Sequence, residues 1–234
     1  MAHPDSLFAP AAALPDTADF LGTWFVSDDG WPGRLTLFQD ADTIEGSFFS
    51  ERFRESYRVT ARVDTADPRS IEFVIHGYNW LDQQVYTGVL FDFGRTAMTG
   101  ASVWRGVPFG FVAWRAQRPA LSVFRSGTVN PSDFGGVWVV RLDGHSANLA
   151  LEYQSRSRTL RGECWGRSFG PYTVEGEPGT QVPHEVSLTL TTRSPTGAPP
   201  ARLKGYLFSR PKNMVSGWAR IGDQRRAFYL VRCR

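Results

Sequence analysis

Three observations on the 234-residue sequence predict an all-β fold of two tandem eight-stranded antiparallel up-and-down β-barrels. They are an internal duplication, short runs in which apolar and polar residues alternate, and turn-forming residues at most of the joins. Asp19-Phe20-Leu21-Gly22-Thr23-Trp24 returns as Asp133-Phe134-Gly135-Gly136-Val137-Trp138. The correspondence continues through Tyr57-Arg58-Val59 with Tyr172-Thr173-Val174 and Gly88-Val89-Leu90-Phe91 with Gly205-Tyr206-Leu207-Phe208, and ends with Phe111 to Arg115 against Phe228 to Arg232. The boundaries that follow are a leader over 1–18, a first barrel over 19–116, a linker over 117–132 and a second barrel over 133–234.

The leader is rich in Ala and Pro and lacks both the basic start and the apolar core of an export signal, so it reads as disordered and the protein as cytoplasmic. Strands are then expected over 21–27, 33–39, 43–50, 56–63, 70–78, 84–92, 97–104 and 109–116. Period-two alternation is plainest in Arg34-Leu35-Thr36-Leu37 and from Tyr57 to Val63, which buries one face of each strand and wets the other. No stretch carries a helical period. Consecutive short strands with tight connections favour a closed barrel, which removes exposed sheet edges, although a sandwich of the same strands has the same periodicity. Residues 117–131, with Pro119, Gly127 and Pro131, have little pattern and form the linker. Eight further strands follow at 135–142, 147–154, 159–165, 172–177, 184–192, 201–209, 213–220 and 225–232, broken by a Pro- and Gly-rich surface loop over 192–201.

Charge is divided unevenly between the halves. Residues 1–116 carry nine basic against fifteen acidic side chains, a net of −6, and residues 117–234 carry seventeen against eight, a net of +9. Oppositely charged halves can dock on each other or bring two copies together as a homodimer. The basic residues of the second half are scattered singly, which argues against a nucleic-acid partner. No window of about 18 apolar residues is present to cross a membrane as a helix. Cys164 and Cys233 lie in the second repeat only, and read as unpaired thiols.

Gly22-Thr23-Trp24, then Ile44-Glu45-Gly46-Ser47-Phe48, then Tyr57-Arg58-Val59-Thr60-Ala61-Arg62 together resemble the avidin and streptavidin family of eight-stranded barrels. The likeness covers most of the first repeat and, more weakly, the second. Gly-x-Trp on the first strand with a basic residue on the last is also the wider lipocalin (calycin) signature. The resemblance implies that Arg115 and Arg232 close over Trp24 and Trp138, and that each barrel is shut at one end and open at the other. Biotin is not implied. The family's strand-one Asn falls at Val26 and Val140, its strand-three Tyr at Phe48 and Cys164, its strand-five Trp at Ile75, and its strand-six Trp at Tyr86 and Leu203.

In an up-and-down barrel the loops after odd-numbered strands share one end, which is the ligand-binding end in the resembled family. In the first repeat these loops gather Trp31, Phe53, Tyr78 and Trp80, with Trp104 and Phe109 at strand ends, whereas the loops of the opposite end are short and polar. Inward parity counted from Trp24 lines the lumen with Val26, Leu37, Phe48, Ser50, Tyr57, Phe73, Ile75, Tyr86 and Ser102. Such a lining suits a hydrophobic or aromatic ligand with one or two polar groups. The expected ligand-binding set is thus Val26, Trp31, Phe48, Ser50, Phe73, Ile75, Tyr78, Trp80, Tyr86, Ser102 and Trp104. Each aromatic also has a plainer role open to it, plugging the barrel end or packing on the other barrel.

Catalytic candidates are few. His76 lies near Tyr78 and Asp82, with Glu51 across the mouth and Tyr86 in the lumen, so an acid/base pair is conceivable, as is a solvated loop histidine. The four histidines and two cysteines show no metal-ligand spacing, and neither a nucleophile motif nor a glycine-rich phosphate loop is present, so no metal or cofactor is expected. Three functions fit: binding of a small apolar molecule in the first barrel, a cyclase or isomerase that folds a flexible hydrophobic substrate away from water, and a lectin stacking sugars on its mouth aromatics.

Overall fold

The structure, a computed structural model, describes residues 14–77, 83–116, 127–166, 169–193 and 199–233. It contains two closed eight-stranded antiparallel barrels. The first is built from β1 (Gly22–Asp28), β2 (Trp31–Asp40), β3 (Thr43–Ser50), β4 (Glu55–Val63), β5 (Ser70–His76), β6 (Gln84–Leu90), β7 (Ala97–Trp104) and β8 (Val107–Trp114). The second is built from β9 (Gly136–Leu142), β10 (His145–Gln154), β11 (Thr159–Gly166), β12 (Phe169–Pro178), β13 (Glu185–Thr192), β14 (Ala201–Leu207), β15 (Met214–Ile221) and β16 (Gln224–Arg232). In each, consecutive strands pair, and the first strand closes on the last. The sandwich alternative is thereby excluded. Among the described residues no helix is long and apolar enough to cross a membrane.

Both barrels are shut at one end by the same device. A 3-10 turn at Thr17–Phe20 or Pro131–Phe134 precedes the first strand, and its Phe20 or Phe134 is buried. The fully buried Trp24 donates its indole N–H to the Phe20 carbonyl at 2.8 Å, and Trp138 donates to Phe134 at 3.0 Å. Arg115 stacks 4.1 Å from the Trp24 ring and donates to the carbonyls of Leu21 and Asp19. Arg232 repeats this at 4.2 Å from Trp138, donating to Gly135 and Asp133. The planar guanidinium serves here because its face packs on the indole while its edge satisfies carbonyls left over by the turn.

Several strands start earlier than alternation alone predicts. Asp29-Gly30 and Arg105-Gly106 are two-residue turns with positive φ at both positions, 47° and 87° in the first and 51° and 79° in the second. Turns of that hand match the twist of the flanking strands, so pairing runs up to the turn. Asp28 therefore pairs with Trp31, and Trp104 with Val107. This places Asp28 and Trp31 on strands, at the rim of the barrel.

The barrels dock through β6, β7 and β8 of the first and β14, β15 and β16 of the second. β7 packs on β15, β8 on β14 and β6 on β16. Exchanging the repeats maps these pairs onto one another, as in the self-complementary interface of a two-fold dimer. The centre is apolar: Val89, Phe91, Val112 and Trp114 form one core with Phe208, Met214 and Ala227. Burying each large side chain of this kind contributes roughly 1.5–3 kcal/mol. Charge acts at the edge, where Arg69 and Arg226 share Asp92 and Arg226 also reaches Asp143 at 2.7 Å. The opposite charges of the halves thus supplement an apolar contact.

Candidate functional site

A cavity of about 500 Å³ opens at the end of the first barrel that carries the β1–β2, β3–β4 and β7–β8 turns. Its apolar wall comes from Phe48, Tyr57, Ile75, Trp104 and Phe109, with Trp31 and Phe53 towards the opening. Beyond it, towards the closed end, the lumen is filled by Trp24, Val26, Leu35, Leu37, Val59, Phe73 and Phe111.

A carboxylate stands in the apolar part. Asp28, the last residue of β1, receives hydrogen bonds from Gln84 Nε2 at 2.7 Å, Tyr86 OH at 2.9 Å and Ser102 Oγ at 2.7 Å. Those donors sit on β6 and β7, strands that do not pair with β1, so the carboxylate ties across the lumen. Burial raises its pKa above the ordinary carboxylate value, and the three donors offset that only in part. The phenol of Tyr86 is pushed up as well, by burial first and then by the neighbouring Asp28. Gln84 and Tyr86 both donate to Oδ2, and Ser102 donates to Oδ1. A carboxylate oxygen accepts two bonds, so Oδ1 retains one acceptor position. The Tyr86 ring is fixed by stacking on Phe73, with centroids 4.5 Å apart and planes at 10°, and by the edge of Phe111 at 5.2 Å.

The second barrel completes the rim. Ser209 donates both its backbone N–H and its hydroxyl to Asp29, and Arg210 stacks 4.0 Å from the Trp31 ring. Arg52, from the β3–β4 turn, lies 3.8 Å from the same ring and 4.7 Å from Phe53. Asp29 is pushed up to about 6, chiefly by burial and further by Asp28, while its two bonds from Ser209 and the nearby Arg210 pull the other way.

The residues expected from sequence fall into four groups. Phe48, Ser50, Ile75 and Tyr86 line the cavity, with Trp31 and Trp104 at its mouth. Val26, Phe73 and Ser102 point into the lumen but lie behind the cavity wall, Ser102 acting through Asp28. Tyr78 and Trp80 lie outside the described residues. His76 and Glu51 do not join the site: His76 bonds Thr60 Oγ1 at 2.9 Å, on the face of β5 opposite the inward Ile75, and Glu51 is exposed in the β3–β4 turn. Tyr78 and Asp82, the other members of the conceivable acid/base group around His76, lie outside the described residues. The polar groups of the site that the sequence did not single out are Asp28, Asp29, Arg52, Gln84, Ser209 and Arg210. The first had a signal, because the alternation that puts Trp24 and Val26 inside also puts Asp28 inside. Among the described residues no group of three or more His, Cys, Asp or Glu is placed to hold a metal ion.

At the positions equivalent to Asp28, Gln84, Tyr86 and Ser102, the second barrel has Leu142, Ala201, Leu203 and Ala219. All four are buried in its core. Cys164 stands where the first barrel has Phe48; it is buried and its thiol is pushed up to about 12 by burial, which keeps it protonated and unreactive.

No protein-family model matches the chain, and no curated protein matches it. Among solved structures it is similar to a protein of unknown function of the DUF3598 family from Nostoc punctiforme, at 13% identity over 92% of this chain and 95% of that one, with a TM-score of 0.29. A likeness at that level carries no argument, and the account of the site rests on its own geometry.

Proposed function

We propose that the first barrel binds a small, largely apolar or aromatic molecule, other than biotin, in the cavity beside Asp28. The observation that carries this reading is the contrast with the second barrel, where four buried apolar residues occupy the positions of the polar cluster. The same barrel architecture therefore does not require a carboxylate with three donors, and exchanging a buried polar cluster whole for packed apolar residues is often neutral or stabilising. A cavity of about 500 Å³ with an apolar wall and one fixed polar anchor matches small-molecule sites. The resemblance to the avidin and lipocalin barrels, open at one end with room for one ligand, points the same way.

The test is native mass spectrometry of the protein purified from its own host, followed by denaturation and identification of anything released. A retained apolar compound that is lost from the Asp28→Leu protein supports the reading. A protein that carries nothing, and whose cavity takes up no apolar compound from a library, overturns it.

A second reading, a cyclase or isomerase, is favoured by one feature. A carboxyl group whose pKa is raised by burial, standing in an apolar cavity, can exchange a proton with a substrate. In that case Asp28→Asn keeps the three donors partly satisfied and retains binding but abolishes turnover of a candidate substrate. Turnover that survives this substitution rules out the acid/base role of Asp28.

A further inference from the structure

The rim of the cavity holds two cations that the fold leaves uncommitted. Arg52 and Arg210 both stack on Trp31, at 3.8 and 4.0 Å from its centroid, so their charges are no more than about 8 Å apart. Like charges this close repel. Among the described residues neither guanidinium forms an ion pair with a carboxylate. Asp29 feels the charge of Arg210 but forms no ion pair with it, and each of its oxygens accepts a bond from Ser209. A guanidinium packed by its face keeps the N–H donors of its edge available, and that edge is suited to an oxyanion. Both side chains line the same cavity as Asp28.

Resting on the small-molecule reading, we propose that the ligand is an organic acid: an apolar or aromatic body in the cavity, with one anionic head group held at the rim by Arg52 and Arg210. The body's inner end meets the remaining acceptor position of Asp28 with a hydrogen-bond donor. The two ends of the site then have opposite character, which orients the ligand. Arg210 comes from the second barrel, so that barrel, which has buried apolar residues at the positions of the polar cluster, supplies half of the head-group site of the first. This gives the tandem arrangement a role that neither barrel has alone.

The test uses two dyes with one ring system, 1-anilinonaphthalene-8-sulfonate and the neutral N-phenyl-1-naphthylamine, titrated by fluorescence against the full chain. The sulfonate is expected to bind about fivefold tighter or more, an advantage that shrinks as salt is raised to about 0.5 M. Arg52→Met and Arg210→Met each reduce that advantage and leave the neutral dye's affinity within about twofold, which also shows that the variants are folded. Equal affinity for the two dyes, or a sulfonate preference that survives both substitutions, overturns the anionic head group and leaves the apolar site standing. Failure of both dyes to bind overturns the head group and the small-molecule reading together.

Discussion

The two barrels share strand order, the Trp and Arg closure, the two-residue first turn and the register save for a bulge in β11–β12, and they differ in what borders the lumen near the open end. In the first, Asp28 and its donors Gln84, Tyr86 and Ser102 border a cavity; in the second, Leu142, Ala201, Leu203 and Ala219 belong to a continuous core. The shared features are those a barrel needs to close. The unshared ones are those a barrel can do without, and they coincide with the cavity. The contrast separates scaffold from site inside a single chain.

The contrast can be broken most severely by giving the second barrel the first barrel's charge. Leu142→Asp places a carboxylate in an apolar core with no donors, and is expected to cost on the order of 4 kcal/mol or to unfold the chain, read by urea denaturation. Removing the charge from the first barrel is the next largest effect. Asp28→Leu strands three donors, of which Ser102 is fully buried, and is expected to cost about 2–3 kcal/mol in the same assay. The two effects have one cause, a polar group without its partners. They should be non-additive with Tyr86→Phe only in the first barrel.

A smaller effect appears in the pH dependence of stability, at the joint between barrels. Asp29 has a folded pKa of about 6 against an ordinary 3.8. It binds its proton more tightly folded than unfolded, so its contribution favours the folded state below about pH 4 and is lost as pH rises to about 6. Asp29→Asn keeps the positive φ that asparagine tolerates and should remove that decline, worth on the order of 2 kcal/mol. The smallest effects belong to His76→Ala and Glu51→Gln. Both residues lie off the cavity lining, and each change should move stability by less than about 1 kcal/mol and ligand affinity not at all, as titration would show.

Much of the scaffold was legible in the sequence because the duplication supplied two readings of every strand. β3 and β7 begin and end where alternation places them, at Thr43–Ser50 and Ala97–Trp104. Parity from Trp24 also gave the inward set, since in a closed barrel period two leaves no other arrangement. Asp28 was obscured by its neighbours. With β1 expected to stop at Ser27, Asp28-Asp29-Gly30 reads as a polar turn, whereas the two-residue turn at Asp29-Gly30 keeps Asp28 on the strand. Aligning it with Leu142 would have exposed the difference. For His76 the parity that turns Ile75 inward turns the imidazole outward, to Thr60, although proximity in sequence to the mouth loop suggests a place in the site. Ser209 and Arg210 had no signal at all. Their place at the mouth depends on how the barrels dock, through apolar contacts spread over six strands that no local pattern announces.

On the proposed reading, the polar cluster of the first barrel serves a ligand and not the fold. Equilibrium urea unfolding of a variant with all four groups replaced by apolar residues of similar size, Asp28→Leu, Gln84→Met, Tyr86→Phe and Ser102→Ala, tests it most directly. The account predicts a stability equal to or above that of the unaltered chain, as when a buried polar cluster is exchanged whole for a packed apolar one. A loss of more than about 3 kcal/mol would make the cluster a structural brace and contradict the assignment.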